Sequence, residues 1–271
     1  MKILINYADE KYRKTQRFNI WTGKRIAGFD KVIEYGSDDV PYGYKIAHKE
    51  IFDNSRGNGL WLWKPYLIQR TLRECSDGDV VFYADSGSFF LKKIDDVIAS
   101  LNSEWNIWVS DIPLIENCFT KEECFLKMDC NSDQIRYSNQ IQATFFMAKN
   151  NEHSRQFVDE WLHWCEDVTL LSPQGKLQAD APVGRNFLVH REDKSILSLL
   201  CKKKGIKPHR DPSQRGTWQN TYYSPNYEYC PTVHDDKYKN VILLHKSPDV
   251  NPIHILKMLI RTGLANFKMR G

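Results

Sequence analysis

Residues 78–87 read Gly78-Asp79-Val80-Val81-Phe82-Tyr83-Ala84-Asp85-Ser86-Gly87. Within them Asp79–Tyr83 carries apolar residues at consecutive rather than alternating positions, the pattern of a strand buried on both faces of a parallel sheet. The strand runs into Asp85-Ser86-Gly87, which delivers a carboxylate to the carboxyl edge of the sheet, where open α/β folds bind their ligands. An aspartate that merely starts a turn is the plainer alternative for Asp85. Upstream, Lys2–Tyr7 (KILINY) predicts a first strand, residues 11–25 a helix closed before Gly28, and Lys31–Tyr35 (KVIEY) a second strand. Residues 46–52 and 66–73 have helical spacing. Strand, helix, strand, helix, strand is the opening of a parallel α/β sheet.

Downstream, 105–109 (WNIWV) and 142–148 (QATFFMA) read as further strands and 154–168 as an amphipathic helix. Residues 195–204 form a second such helix, stopped by Gly205, and 240–245 (NVILLH) a last strand. The Pro-, Tyr- and Asn-rich stretch 208–231 is long for a loop and has the make-up of a functional lid. The expected fold is a single α/β domain over residues 1–250, with a mixed, mainly parallel sheet flanked by helices, followed by a tail at 251–271. In that tail Ile255, Leu256, Leu259, Ile260 and Leu264 share a helical pattern with Lys257, Arg261, Lys268 and Arg270. Such a basic amphipathic helix either lies on an anionic membrane surface or packs on the domain with its charges solvated.

At 271 residues, with 41% hydrophobic and 27% charged residues, the chain is long enough to build a full core without disulfide or metal staples. Its seven cysteines are odd in number and contain no C-x-x-C pair, which favours reduced thiols in the cytosol. The five-residue gaps of Cys118, Cys124 and Cys130 match no common zinc pattern. The amino-terminal apolar run is too short for a signal peptide or a membrane span. Lys and Arg, 38 in all, are interleaved with 34 Asp and Glu, which argues against a nucleic-acid partner. Phosphate-loop, dinucleotide and serine-hydrolase fingerprints are missing from the sequence. The 8 Trp, 13 Tyr and 13 Phe serve either as core or as stacking platforms for sugars and bases.

Around Asp85 the sequence resembles the GT-A-fold nucleotide-sugar glycosyltransferases. Tyr83-Ala84-Asp85-Ser86-Gly87 is similar to the Tyr-Leu-Asp-Ala-Asp motif of the glycogenin-like family, with Gly87 in place of the second acid. The segment RGNGLWLWKPYLIQRTL, 56–72, resembles the Gly-Tyr-Trp-Leu-Trp-Lys-Pro segment of small polysaccharide-assembly glycosyltransferases. Phe187–Ile206 is similar to their His-Arg-x-Asp-Gln-Ser-Ile segment, with Lys194 in place of the Gln. His245-Lys246 follows the last strand as a His and a Lys do in the glycogenin-like family.

The resemblance implies sugar transfer from a nucleotide diphosphate donor, UDP-linked, to a glycan or lipid-linked acceptor. A non-catalytic sugar-nucleotide-binding protein of the same fold is the alternative that Gly87 keeps open. Asp85 and His245 would hold Mn²⁺ or, less suitably, Mg²⁺; with one carboxylate where the family has two, metal dependence stays open. Lys64 and Lys246 would neutralise the diphosphate, while Trp61 and Trp63 either pack or form a ring platform. Asp193 is the candidate catalytic carboxylate, a general base for the acceptor hydroxyl; a helix cap is its structural alternative. Tyr7, Tyr12 and Arg13 sit where related folds hold the nucleotide. Asp111, Gln140 and Gln142 fall at expected sheet edges, and with His190 and Arg191 they complete the candidates for sugar or acceptor contacts.

Overall fold

The structure, a computed structural model, describes residues 1–101, 104–173 and 187–268, with backbone alone for 261–268. Seven strands are formed among these residues: β1 Lys2–Tyr7, β2 Lys31–Tyr35, β3 Val80–Ala84, β4 Ser88–Phe90, β5 Ile107–Ile115, β6 Asn139–Lys149 and β7 Ile242–Leu244. The main sheet has the order β2-β1-β3-β6-β5. β1 is parallel to β2 and β3, whereas β6 runs antiparallel to β3 and β5. The expected mixed, mainly parallel sheet is therefore present. The expected last strand narrows to β7, which leaves the main sheet and pairs antiparallel with β4 in a separate two-stranded sheet.

The consecutive apolar residues of β3 are explained by two cores, one on each face. Because side chains alternate across a strand, Ile3, Ile5, Val81 and Tyr83 point to one core. Leu4, Val80, Phe82 and Ala84 point to the other. On the first face lie the helices Trp63–Glu74, Glu152–Cys165 and Glu192–Lys203, with Leu67, Ile68, Phe157, Trp161, Ile196 and Leu200 buried against the sheet. On the second face Phe29, Phe90, Ile94, Tyr238 and Ile242 cover the strands.

Local signals place the helix ends. Asn151 and Ser154 form a reciprocal capping box at the start of Glu152–Cys165. Gly205, at φ +66°, follows the end of Glu192–Lys203, a backbone conformation that glycine adopts without a side-chain clash. The helical stretch expected at 46–52 divides into Tyr42–Ala47 and Lys49–Phe52 at His48. The long stretch 208–231 contains the short helices Gln214–Thr217 and Gln219–Tyr222.

No helix among the described residues is long and apolar enough to cross a membrane. In the final helix, Pro252–Lys268, Ile255 faces a crevice of the domain, while Ile253, Leu256 and Ile260 are exposed. Arg270 and the side chains of Arg261, Leu264 and Lys268 lie outside the described residues.

Candidate active site

Three charged groups from distant parts of the chain meet at the carboxyl end of β3. Lys64, in the first turn of Trp63–Glu74, is buried, 3% exposed, and its Nζ lies 2.9 Å from Asp193 Oδ2 and 3.7 Å from Asp85 Oδ1. It also donates to the carbonyl of Ala143 at 3.1 Å. The Tyr83 hydroxyl donates to Asp85 Oδ1 at 2.7 Å, so β3 orients its own terminal acid. Asp193 is 4% exposed, and its Oδ2 is ion-paired with Lys64.

These charges set one another's protonation. Burial opposes the Lys64 ammonium, but Asp193 and Asp85 outweigh it and raise the lysine above its ordinary value. Asp193 is pushed up to about 6 by burial, against the pull of Lys64, with Asp85 and Glu192 adding to the rise. A charged lysine thus stands between two acids, and the buried acid titrates in the range suited to proton transfer near neutral pH.

The cap reading of Asp193 is corrected. The helix begins three residues before the expected Ser195, at Glu192, and Asp193 lies inside its first turn with its carboxylate directed to Lys64. Ser195 accepts from the Arg191 N–H at 3.2 Å. Lys64, expected at the diphosphate, is buried and engaged with two carboxylates and a carbonyl, and it is not among the residues lining the cleft beside Asp85.

Beside Asp85 opens a cleft of about 580 Å³ walled by Tyr7, Asp9, Tyr12, Asn58, Trp61 and Trp63, with Lys246 at its edge. This volume falls in the range of small-molecule sites. Tyr7 and Trp63 stack with ring centroids 3.7 Å apart, and the Trp63 indole donates to the carbonyl of Gly57 at 2.8 Å. Trp63 therefore packs and lines the cleft at once. Gly57, Asn58, Gly59, Leu60 and Trp61 all have positive φ, between 52° and 92°, forming a left-handed turn that L-residues rarely sustain. Two glycines and an asparagine, which tolerate that region, make the turn accessible. A Cβ on Gly57 would come within 2.4 Å of the Trp61 ring, and one on Gly59 within 2.6 Å of Phe52. The Asn58 amide donates to Asp9 at 3.2 Å, while Asp9 accepts from the Tyr12 N–H at 3.0 Å. Arg13 is not among the residues lining the cleft; its guanidinium lies beside Gln16 at 3.4 Å.

The two expected metal ligands line different crevices, which adjoin at Ser86 and Gly87. Asp85 faces the main cleft, whereas His245 faces a separate small crevice with Phe89, Val250 and Ile255. The His245 ring accepts from the Ser247 N–H at 3.3 Å, and its Nε2 is buried without a partner. Among the described residues no group of three or more His, Cys, Asp or Glu side chains could hold a metal ion. The position of the family's second acid is tightly packed. A Cβ on Gly87 would stand 3.2 Å from the Lys246 Cα and 3.3 Å from its nitrogen. The Gly87 carbonyl instead accepts from the N–H groups of His245 and Lys246 at 2.8 and 2.9 Å. That contact seats Lys246, at φ +57°, over the cleft.

A second pocket of about 280 Å³ adjoins Lys246 and is lined by Arg191, Lys194, Arg215, Gln142, Thr144 and Tyr222. Arg191 and Gln142, the sugar or acceptor candidates, both line this cavity. Three other sequence candidates do not. Asp111 is buried and paired with His234 at 2.7 Å. Gln140 is fully buried, donating to Glu116, Thr120 and Ser195. His190 is enclosed by the core, with its Nδ1 accepting from the Lys121 N–H at 3.4 Å, and burial drives it down to about 3, leaving the ring neutral. All three are enclosed by the fold, and Gln140 Oε1 and His190 Nε2 are left without hydrogen-bond partners among the described residues. Asp9, Asn58 and Arg215 went unnoticed in the sequence; the Gly-Asn-Gly triplet was the available signal for Asn58, and Arg215 had none.

The order and direction of the strands, with the carboxylate at the end of β3, define the GT-A fold of glycosyltransferases. The galactosyltransferase LgtC, solved in complex with donor and acceptor sugar analogs, superposes with a TM-score of 0.50 at 12% identity, over 97% of this chain and 95% of that one. Mouse xyloside xylosyltransferase 1 gives a TM-score of 0.48 at 9% identity, covering 91% of this chain and 98% of its own. GlyE, a glycosyltransferase of Streptococcus pneumoniae, gives 0.46 at 12% identity, over 97% of this chain and 61% of that one. No protein-family model matches the chain, and no curated protein matches its sequence. Its structural neighbours are glycosyltransferases at low identity, and the likeness to LgtC establishes a shared fold.

Proposed function

We propose that the chain is a glycosyltransferase moving a sugar from a nucleotide diphosphate donor, a UDP-sugar, to a glycan or lipid-linked oligosaccharide. The observation that carries the reading is the Asp85–Lys64–Asp193 cluster at the carboxyl end of β3, beside a cleft of nucleotide-sugar size. In this reading the Tyr7–Trp63 stack and Tyr12 receive the nucleotide, and Lys246 sits against the diphosphate. Diphosphate departure is the step that gains most from a fixed positive charge. As the acceptor oxygen bonds to the anomeric carbon and the bond to the diphosphate oxygen breaks, the hydroxyl proton passes to Asp193 in an inverting reaction. In a retaining one Asp193 orients the donor sugar. Asp193 lines neither cavity in the structure, so in this reading its side chain leaves the 2.9 Å ion pair with Lys64 to meet the acceptor. Lys64 holds the acid ionised until that moment.

With Asp85 and His245 in separate cavities, we assign the balancing of leaving-group charge to Lys246 rather than to Mn²⁺. Transfer measured in the presence of a chelator persists if this is right; loss that Mn²⁺ restores would overturn it. The exposed Ile253, Leu256 and Ile260, interleaved with the basic Lys257, support peripheral contact with an anionic membrane. Cosedimentation with anionic but not neutral vesicles checks it.

The functional test is donor turnover by wild type and Asp193→Asn, alongside thermal shift with UDP-sugars. A donor at a hundred times its Kd stabilises a protein by about 2.7 kcal/mol, and loss of a general base lowers the rate roughly 10²–10⁴-fold. Undiminished transfer by Asp193→Asn sinks the catalytic assignment. Donor binding by wild type with no turnover selects the non-catalytic sugar-nucleotide-binding alternative.

A further inference from the structure

The second pocket gathers four cations, Arg191, Lys194, Arg215 and Lys246, and its lining contains no carboxylate. Among the described residues none of the four makes an ion pair. The nearby acids are spent elsewhere. Glu116 is buried against Lys202 at 2.5 Å, Glu192 pairs with Arg56 at 2.6 Å, and Asp193 and Asp85 flank Lys64. The exception is Asp211, which is buried, accepts from the Ser213 N–H at 2.8 Å, leaves its Oδ2 without a hydrogen-bond partner among the described residues, and attracts Arg215 and Lys246 without pairing with either.

What the cations do contact is aromatic. The Arg191 guanidinium lies over Phe119 and that of Arg215 over Tyr222, at 5.3 and 5.2 Å, which holds their planes at the wall. Arg191 Nε is buried without a hydrogen-bond partner, a donor whose desolvation nothing in the described chain repays. Burial, together with Arg191 and Lys246, pushes the Lys194 ammonium down to about 7, the response of a cation held beside like charges.

We propose that this pocket receives an acidic group, a carboxylate or a phosphate, on the acceptor glycan. The inference rests on the glycosyl-transfer reading. The donor's diphosphate takes Lys246 from the side of the larger cleft, which leaves Arg191, Lys194 and Arg215 for a second anion. Guanidinium groups bind carboxylates and phosphates through paired, charge-assisted hydrogen bonds, and an anion also relieves the mutual repulsion of the cations.

The test uses the full chain with UDP-sugar donors and three matched oligosaccharide acceptors ending in a neutral sugar, a uronic acid or a phosphorylated sugar. Wild-type hydrolysis of the donor without acceptor reports on the glycosyl-transfer reading by itself. Given turnover, wild type prefers one or both acidic acceptors over the neutral one, and the preferred acid identifies the anion. In Lys194→Gln and Arg215→Gln that preference falls about tenfold to a hundredfold, the worth of one hydrogen bond to a charged group, and Arg215→Lys restores part of it. Equal kcat/KM on neutral and acidic acceptors, or a preference untouched by both Gln variants, overturns the proposal. A binding arm needs no turnover. Glucuronate and glucose 6-phosphate are titrated by thermal shift into wild type and Lys194→Gln. Stabilisation of wild type by either probe that weakens in the variant supports the pocket's role, and no stabilisation by either refutes it.

Discussion

Replacing Lys64 by Met removes one charge from the centre of the site while keeping most of its volume. Asp193 then remains buried with no cation within ion-pair distance, and breaking a buried pair in this way costs about 3–5 kcal/mol. The Asp85 side chain is 38% exposed and returns its charge to solvent, so the loss arises at Asp193. For a chain of this size about 1 kcal/mol moves Tm by roughly 2–4 °C, which predicts a fall of roughly 6–20 °C at pH 8. The sign of the pH dependence follows from Asp193, whose folded pKa of about 6 exceeds the ordinary aspartate value of about 3.9. A raised acid contributes stability that is fully present below its unfolded pKa and is lost as pH rises through the folded one. Without Lys64 the folded pKa climbs further. The gap between variant and wild type therefore narrows when the pH is lowered from 8 to 5, because the orphaned acid takes up its proton. Calorimetric or fluorescence melts at the two pH values measure it, with Lys64→Met/Asp193→Asn recovering much of the loss at pH 8. A gap of equal size at both pH values, or a double variant no more stable than the single, would refute the electrostatic coupling.

Three further outcomes are expected. The acid limb of the transfer rate in wild type falls near pH 6 as Asp193 is protonated, and it moves to higher pH in any Lys64→Met protein that retains activity; a pH–rate profile checks both. Gly59→Ala must sustain φ +92° with a Cβ 2.6 Å from Phe52. It loses roughly 2–4 kcal/mol from left-handed strain and overpacking, visible in melts, and binds donor more weakly because Asn58 and Trp61 shift with the turn. Trp63→Leu removes the stack on Tyr7, so its donor Kd rises more than tenfold in titration calorimetry; an unchanged Kd would place the nucleotide elsewhere.

Much of the scaffold was legible because its signals are local. The consecutive apolar residues of Val80–Ala84 require a strand covered on both sides, and the two cores supply the covers. Lys2–Tyr7 and Lys31–Tyr35 hold as read. Boundaries drifted where tertiary partners set them. β5 extends to Ile115 because β6 pairs with it beyond Val109, and the helix carrying Asp193 begins earlier because its first turn is tied to Lys64, Arg56 and Ser195. For the site, the sequence marked Asp85, Lys64, Asp193 and Lys246 as chemistry-bearing residues but could not assign their partners.

What the chain determined by itself is the strands β1, β2 and β3 and the carboxylate that follows β3, since each depends on residue type and near-neighbour pattern. What only the tertiary structure decided is which charges meet. Lys64 and Asp193 are 129 positions apart in the numbering, and electrostatic pairing depends on separation in space and on local burial, neither of which a linear spacing encodes. Folding turned Lys64 inward to two acids, moved His245 into a different crevice from Asp85, enclosed Gln140 and His190 in the core, and collected Arg191, Lys194, Arg215 and Lys246 around one pocket.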